Sequence, residues 1–232
     1  MEPYMLILVH VFTMLIVLFS AHLFYVHIKR YRNNLILPSL YLALYFLSFA
    51  VYYFFIFLLR FPTEENNLTL NTAIIPLGAF VLDPFLPLFS SLFASFTLSP
   101  KRGTQFSVPL VALSIVSIVL IMLNPPIVTE GAGGITEWSV PEGANIAIVI
   151  DIVVSLIVCA YMAFYTMTVK DRTSIAKGLL LTAGFLLVSY LVHFEENFGL
   201  GSAIYIRRAL ILIALLIINI GFTMPEWLRK RI

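Results

Sequence analysis

Long apolar stretches, separated by short polar ones, make up most of this chain. A helix needs roughly 20 consecutive apolar residues to cross a bilayer, and the sequence lacks the period-two alternation of a membrane barrel. The pattern therefore predicts seven membrane-spanning helices. They cover residues 4–27, 35–59, 72–98, 106–123, 144–169, 175–192 and 205–224. Six spans is the alternative if the third, which contains three prolines, is re-entrant.

Composition supports a membrane protein. Hydrophobic residues make up 61% of the chain and charged residues 11%, whereas soluble domains are about half apolar and a quarter charged. No linker or low-complexity tract divides the chain, so residues 1–232 are predicted to form a single domain. The single cysteine excludes an internal disulfide framework. No cleavable signal peptide is predicted, and a net charge of +2 does not favour nucleic-acid binding.

Charged residues between the spans predict the orientation. Basic clusters follow the odd-numbered spans, and acidic residues follow the even-numbered ones. The basic residues are Lys29, Arg30, Arg32, Lys101, Arg102, Lys170, Arg172, Lys177, Arg229, Lys230 and Arg231; the acidic ones are Glu64, Glu65, Glu130, Glu137, Glu142, Glu195 and Glu196. The positive-inside rule then places the N-terminus outside and the C-terminus in the cytoplasm of a multi-pass protein in the cell membrane.

Two loops on the predicted outer side carry recognisable patterns. β-prone residues 127–129 and 135–140 flank the glycine-rich stretch 131–134, which predicts a β-hairpin-like loop between helices 4 and 5. Asn67, in Asn67-Leu68-Thr69, is a candidate glycosylation site. The predicted fold is therefore an all-α integral membrane protein, a seven-transmembrane-helix bundle with one hairpin-like loop.

Asp83 lies inside the third apolar span, between prolines at positions 76, 84 and 87 (Pro76, Pro84 and Pro87). A carboxylate at the centre of a spanning helix costs roughly 2.5–3.5 kcal/mol, and proline removes a backbone donor. The pattern predicts a helix break at about 16 Å depth, near the midplane. Asp83 either caps this break or binds a ligand or proton, and the two roles are compatible.

Other polar residues recur at helical spacing within the spans, which favours faces turned to other helices. They predict an outward-facing polar pocket with Asp83 at its floor. The candidate ligand- or proton-binding residues are Asp83, Asp151, His10, His193, Tyr52 and Asn219, and the candidate ion pairs at the rim join Glu195 and Glu196 to Arg207 and Arg208.

Each candidate also has a structural interpretation. Asp151 is equally explained by a bond to a serine or tyrosine of a neighbouring helix, and interhelical hydrogen bonds are favoured for His10 and His193. The two arginines at the rim are expected to extend to the outer surface. His27, near the inner surface, is expected to contact lipid headgroups.

Several kinds of chemistry are disfavoured by the sequence. Retinal needs a lysine in the last span, but every lysine lies at or beyond an inner helix end, so retinal is excluded. Haem is not favoured, because only His10 and His193 form a candidate ligand pair. Zinc-protease, phosphate-loop and C-x-x-C motifs are absent from the sequence. We expect no enzyme, no cofactor and no metal.

Three stretches carry a resemblance to a known family: the third span with its internal prolines and phenylalanine-rich end (83–100), the Met122-Leu123-Asn124-Pro125 exit of the fourth, and the loop in which Trp138 leads to the fifth through Gly143. The layout resembles the seven-helix N-terminal sensor region of prokaryotic membrane histidine kinases. The resemblance implies a sensory role. Since this sequence carries no kinase domain, the output would pass to a separate partner.

Three functions follow as hypotheses. The first is a receptor-like or sensory module that signals through a membrane or cytoplasmic protein partner. The second is a non-catalytic accessory subunit of a larger membrane complex, in which the polar faces hold subunits together. The third is a proton- or ion-coupled transporter of small solutes, with Asp83 as the coupling site.

Overall fold

The computed structural model of the protein describes residues 3–58, 75–98, 101, 103–125, 127–130, 136–198 and 204–226. Seven of the described helices are long and apolar enough to cross a membrane. The predicted seven-helix membrane class is therefore confirmed. The candidate glycosylation site Asn67 lies outside the described residues.

Eight helices and two short strands form the described part of the chain. In chain order they are α1 (Pro3–Asn34), α2 (Leu37–Leu58), α3 (Ile75–Leu82), α4 (Phe85–Leu98), α5 (Gly103–Leu123), β1 (Ile127–Glu130), β2 (Thr136–Ser139), α6 (Glu142–Thr168), α7 (Arg172–Phe198) and α8 (Ile204–Thr223). The third predicted span is thus two helices, interrupted at Asp83 and Pro84.

The first helix is longer than predicted, because it continues through its basic cluster. Lysine and arginine are good helix formers, and their long side chains reach water from the end of a span. The helix ends at Leu35, whose φ is 52° and whose N–H donates to the Tyr31 carbonyl at 2.6 Å. This extension carries Arg30 to the mouth of a cavity described below.

Six helices form a closed ring, because each of α1, α2, α4, α6, α7 and α8 packs on the next and α8 returns to α1. α5 lies outside this ring against α4 and α6. α7 and α8 approach closely where Gly184 faces α8, since a Cβ there would lie 2.6 Å from Ile218 and 3.2 Å from the Ala214 carbonyl. The small cavity described below lies among four helices of this ring, α2, α4, α6 and α7.

The two ends of the bundle differ in chemistry. At one end, here called the basic end, α1, α4, α6 and α8 finish and α2, α5 and α7 begin. The other, the hairpin end, carries β1 and β2, which pair antiparallel with Val128 opposite Trp138. These strands lie where the sequence predicts β-prone segments, although the residues that join them, 131–135, lie outside the described part.

Large apolar side chains cover the outside of the bundle. Examples are Val108, Phe164 and Tyr190, which are 59%, 70% and 62% exposed. Lipid tails cover such a surface without the penalty it would carry in water. The chain is a multi-pass membrane protein in contact with the lipid bilayer.

Candidate functional site

The interruption between α3 and α4 places a carboxylate inside the bundle. Asp83 and Pro84 form a turn, and the helical pattern resumes when the Leu86 N–H donates to the Asp83 carbonyl at 2.9 Å. The Asp83 side chain is only 1% exposed. The predicted break is therefore present, and its acid faces protein and not lipid.

Asp83 lines a small cavity of about 20 Å³, room for about one water. The cavity lies among α2, α4, α6 and α7. Its polar lining is Tyr45, Asp83, Ser90, Ser155, Cys159 and Ser189, and its apolar lining is Leu86, Pro87, Val158, Phe185, Val188 and Val192. Polar residues of four predicted spans, the second, third, fifth and sixth, meet in this cavity.

A stack of aromatic rings extends from this cavity toward the basic end. The Tyr45 ring meets Phe185 at 5.2 Å between centroids, Phe185 meets Phe93 at 5.8 Å, and Phe93 meets Phe222 at 5.8 Å. We call these four residues the aromatic column. Phe93 is fully buried. Edge-to-face and tilted contacts of this kind stabilise ring pairs beyond the area they bury.

A much larger cavity, of about 410 Å³, opens at the basic end beyond the column. It lies among the ends of α1, α2, α4, α6, α7 and α8. Its residues are Arg30, Ile36, Pro38, Phe96, Thr97, Leu98, Tyr165, Thr166, Val169, Ser174, Lys177, Gly178, Leu181, Gly221 and Phe222. The sequence predicts a pocket at the opposite end, so this cavity was missed. It arises where helix ends diverge, which no residue pattern indicates.

Charge at the basic end is strongly positive. Its described basic residues are Lys29, Arg30, Arg32, Lys101, Lys170, Arg172 and Lys177, and its described acidic residues are Asp171 and Glu226. Asp171 caps α7, accepting bonds at 2.8 Å from both the hydroxyl and the N–H of Ser174. These bonds hold the pKa of Asp171 below its usual range, so the carboxylate is ionised at neutral pH.

Asp151 lies between α5 and α6. It is fully buried, and the Ser117 hydroxyl donates to its Oδ2 at 2.8 Å. Asp151 does not line either of the two cavities formed by the described residues. The geometry agrees with the structural interpretation, a bond to a serine of a neighbouring helix.

Arg208 does not extend to the surface, contrary to the expectation from sequence. Its side chain is 0% exposed, and its guanidinium carbon lies 4.5 Å from the centroid of the Tyr53 ring on α2. Arg207 is half-buried. A planar, weakly hydrated guanidinium stacks on an aromatic face more readily than it enters hydrocarbon. The side chains of Glu195 and Glu196, the predicted partners, lie outside the described residues.

His27 is likewise inside the bundle and not at the headgroups. The imidazole is 0% exposed and stacks on Phe46 at 5.4 Å, while Phe222 meets it edge-on at 5.0 Å. Asn219 of α8 is the polar neighbour. The prediction for His27 was wrong because α1 still packs against α2 and α8 at this turn, so the imidazole faces the inside of the bundle.

The remaining candidates are dispersed. His10 meets Phe57 at 6.0 Å, and Tyr52 is buried against the Tyr53 ring at 5.1 Å. Pro76 lies in α3, and Pro87 lines the small cavity. The side chain of His193 lies outside the described residues. Of the predicted pocket residues whose side chains are described, Asp83 alone lines a described cavity.

Comparison with known proteins does not assign the chain to a family. No protein-family model matches the chain, and no curated protein matches it. The seven apolar helices fit a seven-helix membrane layout, while the resemblance to histidine-kinase sensor regions stays a prediction. Within the described residues, His, Cys, Asp and Glu side chains form no group of three or more that could hold a metal.

Proposed function

We propose that the protein is a sensory membrane module, in which the broken third span moves and alters the basic end of the bundle. One observation carries the proposal: a buried carboxylate lies at the helix break and lines a cavity shared by four helices. An ionisable side chain in such a place is costly, which makes it a candidate for a functional role. A change at Asp83 alters the energy of the break, and α4 transmits the change.

Geometry gives the size of the movement. α4 has 14 residues and is therefore about 20 Å long. A change of about 10° in the bend at Asp83 and Pro84 displaces the far end of α4 by about 4 Å. That end lines the larger cavity through Phe96, Thr97 and Leu98.

We place the N-terminus outside and the basic end in the cytoplasm, where the output would reach a separate protein partner. The excess of described basic residues at that end supports this orientation. The proposal has no catalytic step and no cofactor. It assigns the protein to the cell membrane.

Paired spin labels test the movement. With Cys159 replaced by alanine, labels at Thr97→Cys and Lys170→Cys, two exposed positions, report the separation of the α4 and α6 ends in nanodiscs. We expect Asp83→Asn and Pro84→Ala each to shift the distance distribution by about 4 Å. Pro109→Ala, which changes the proline inside α5, is the matched control and should shift nothing. Identical distributions in all variants would contradict the proposal.

A proton- or ion-coupled transporter is the second candidate, and it is favoured by the alignment of the two cavities. The column residue Phe185 lines the small cavity and Phe222 lines the large one, so rotation of Phe93 between them would connect Asp83 to the basic end. We then expect proton flux in proteoliposomes that Asp83→Asn abolishes. Wild-type protein that moves no protons removes this candidate and leaves the sensory one standing.

A further inference from the structure

The larger cavity combines cations with an apolar interior. Arg30 and Lys177 line it from two different helices, Arg30 from α1 and Lys177 from the first turns of α7. Its apolar lining includes Ile36, Leu98, Val169, Leu181 and Phe222. At about 410 Å³ it falls within the roughly 300–1,000 Å³ range of small-molecule sites.

The guanidinium of Arg30 contacts an aromatic ring. The Arg30 guanidinium carbon lies 4.7 Å from the centroid of the Phe222 ring, and Phe222 itself packs on His27 and Phe93. A stacked guanidinium keeps its N–H groups at the rim of its plane, where they can bind an anion. Asp171, an acid near Lys177, accepts two bonds from Ser174 and also interacts electrostatically with Lys177, so it offsets part of the positive charge on that side of the cavity.

The inner wall is shaped by close helix contacts. A Cβ at Gly221 would lie 3.0 Å from Leu180 and from the N–H of Leu181, and one at Gly178 would overlap the Thr166 hydroxyl. That hydroxyl already donates to the Met162 carbonyl at 2.7 Å. Close packing and a hydroxyl already bonded within its own helix leave Leu181 and Phe222 as apolar lining, while Arg30 is exposed and Lys177 half-buried.

We propose that this cavity binds an anionic amphiphile, with a phosphate head at Arg30 and Lys177 and an acyl chain along Leu181 and Phe222. Basic cavities between spanning helices suit the headgroups of anionic lipids. A neutral ligand leaves the cations unused, and an anion without a tail leaves the apolar interior unfilled. The site is separate from the break at Asp83, so it stands whether or not that break moves.

Native mass spectrometry of the purified full chain with dioleoylphosphatidylglycerol tests whether the cavity binds an anionic headgroup. We expect one tightly bound lipid, with dioleoylphosphatidylcholine about tenfold weaker. Arg30→Gln and Lys177→Gln should each weaken binding about fivefold, equivalent to ~1 kcal/mol per cation, and Arg30→Lys should restore most of it. Arg32→Gln, an exposed charge at the same end that does not line the cavity, is the matched control and should change affinity less than about twofold.

Two further experiments test whether an acyl chain occupies the apolar interior and whether free phosphate can replace the lipid. Ile36→Trp fills the mouth from a position that is 44% exposed, so it should reduce lipid binding without unfolding the bundle. Inorganic phosphate at about 10 mM should leave the lipid bound, since it cannot occupy the apolar interior. Equal affinity for the two lipids, full binding by the glutamine variants, or displacement of the lipid by phosphate would each overturn the proposal.

Discussion

Arg208→Ala will destabilise the bundle by about 3 kcal/mol, one of the two largest effects we expect. A desolvated cation over an aromatic ring contributes roughly 2 kcal/mol, and truncating a large buried side chain adds a cavity cost. Arg208 meets both conditions, since it is fully buried and stacks on Tyr53. Its neighbour Arg207 is half-buried, so Arg207→Ala should cost less than about 1 kcal/mol.

Denaturation in mixed micelles measures both variants. A double-mutant cycle with Tyr53→Leu isolates the stacking contact, for which we expect a coupling of about 1–2 kcal/mol. Tyr53→Phe keeps the ring and should retain most of the coupling. If Arg208→Ala and Arg207→Ala are equally mild, the guanidinium is not an internal support of the α2–α8 contact.

Phe93→Ala will join the two cavities. Removing a buried phenylalanine costs roughly 3–5 kcal/mol, and here it also opens the aromatic column between Phe185 and Phe222. Cys159, the single cysteine, lines the small cavity and is 5% exposed. A charged methanethiosulfonate reagent should therefore modify Cys159 about tenfold faster or more in this variant, because thiol reactivity follows access.

Phe89→Ala is the control for this experiment. Phe89 is on the same helix and half-buried, and it stacks on Phe85 at 5.9 Å away from the column. Its truncation should lower stability without increasing the labelling rate. Equal rates in the two variants would mean that Cys159 is reached by general loosening of the helices and not through the column.

Apolar stretches and prolines predicted much of the architecture. Apolar stretches of spanning length predicted seven helices, and the combination of an acid with two following prolines predicted the break at Asp83. The prolines act locally, by removing backbone donors, so their effect can be read without knowing the neighbours. Polar residues at helical spacing were predicted to face other helices, and three polar or thiol side chains of the fifth and sixth predicted spans, Ser155, Cys159 and Ser189, line the small cavity with Asp83.

Contacts between distant helices could not be predicted in the same way. Whether Arg208 reaches water or lies on Tyr53 depends on the rotation of α8 against α2, and both outcomes suit an arginine near a helix end. His27 has the same ambiguity near the end of a span. The larger cavity depends on the angles between six helices, and no single helix encodes them.

The Ser117–Asp151 bond has a consequence for how the chain enters the membrane. Spans emerge from the ribosome in order, and α5 directly precedes α6. Insertion of α5 and α6 as one helical hairpin lets Asp151 enter hydrocarbon already hydrogen-bonded. The later buried charge, Arg208 on α8, meets the Tyr53 ring of α2, a helix inserted long before. Asp151 and Arg208 therefore both follow their contact partners in chain order, so each partner can already be in the membrane when the polar side chain enters it.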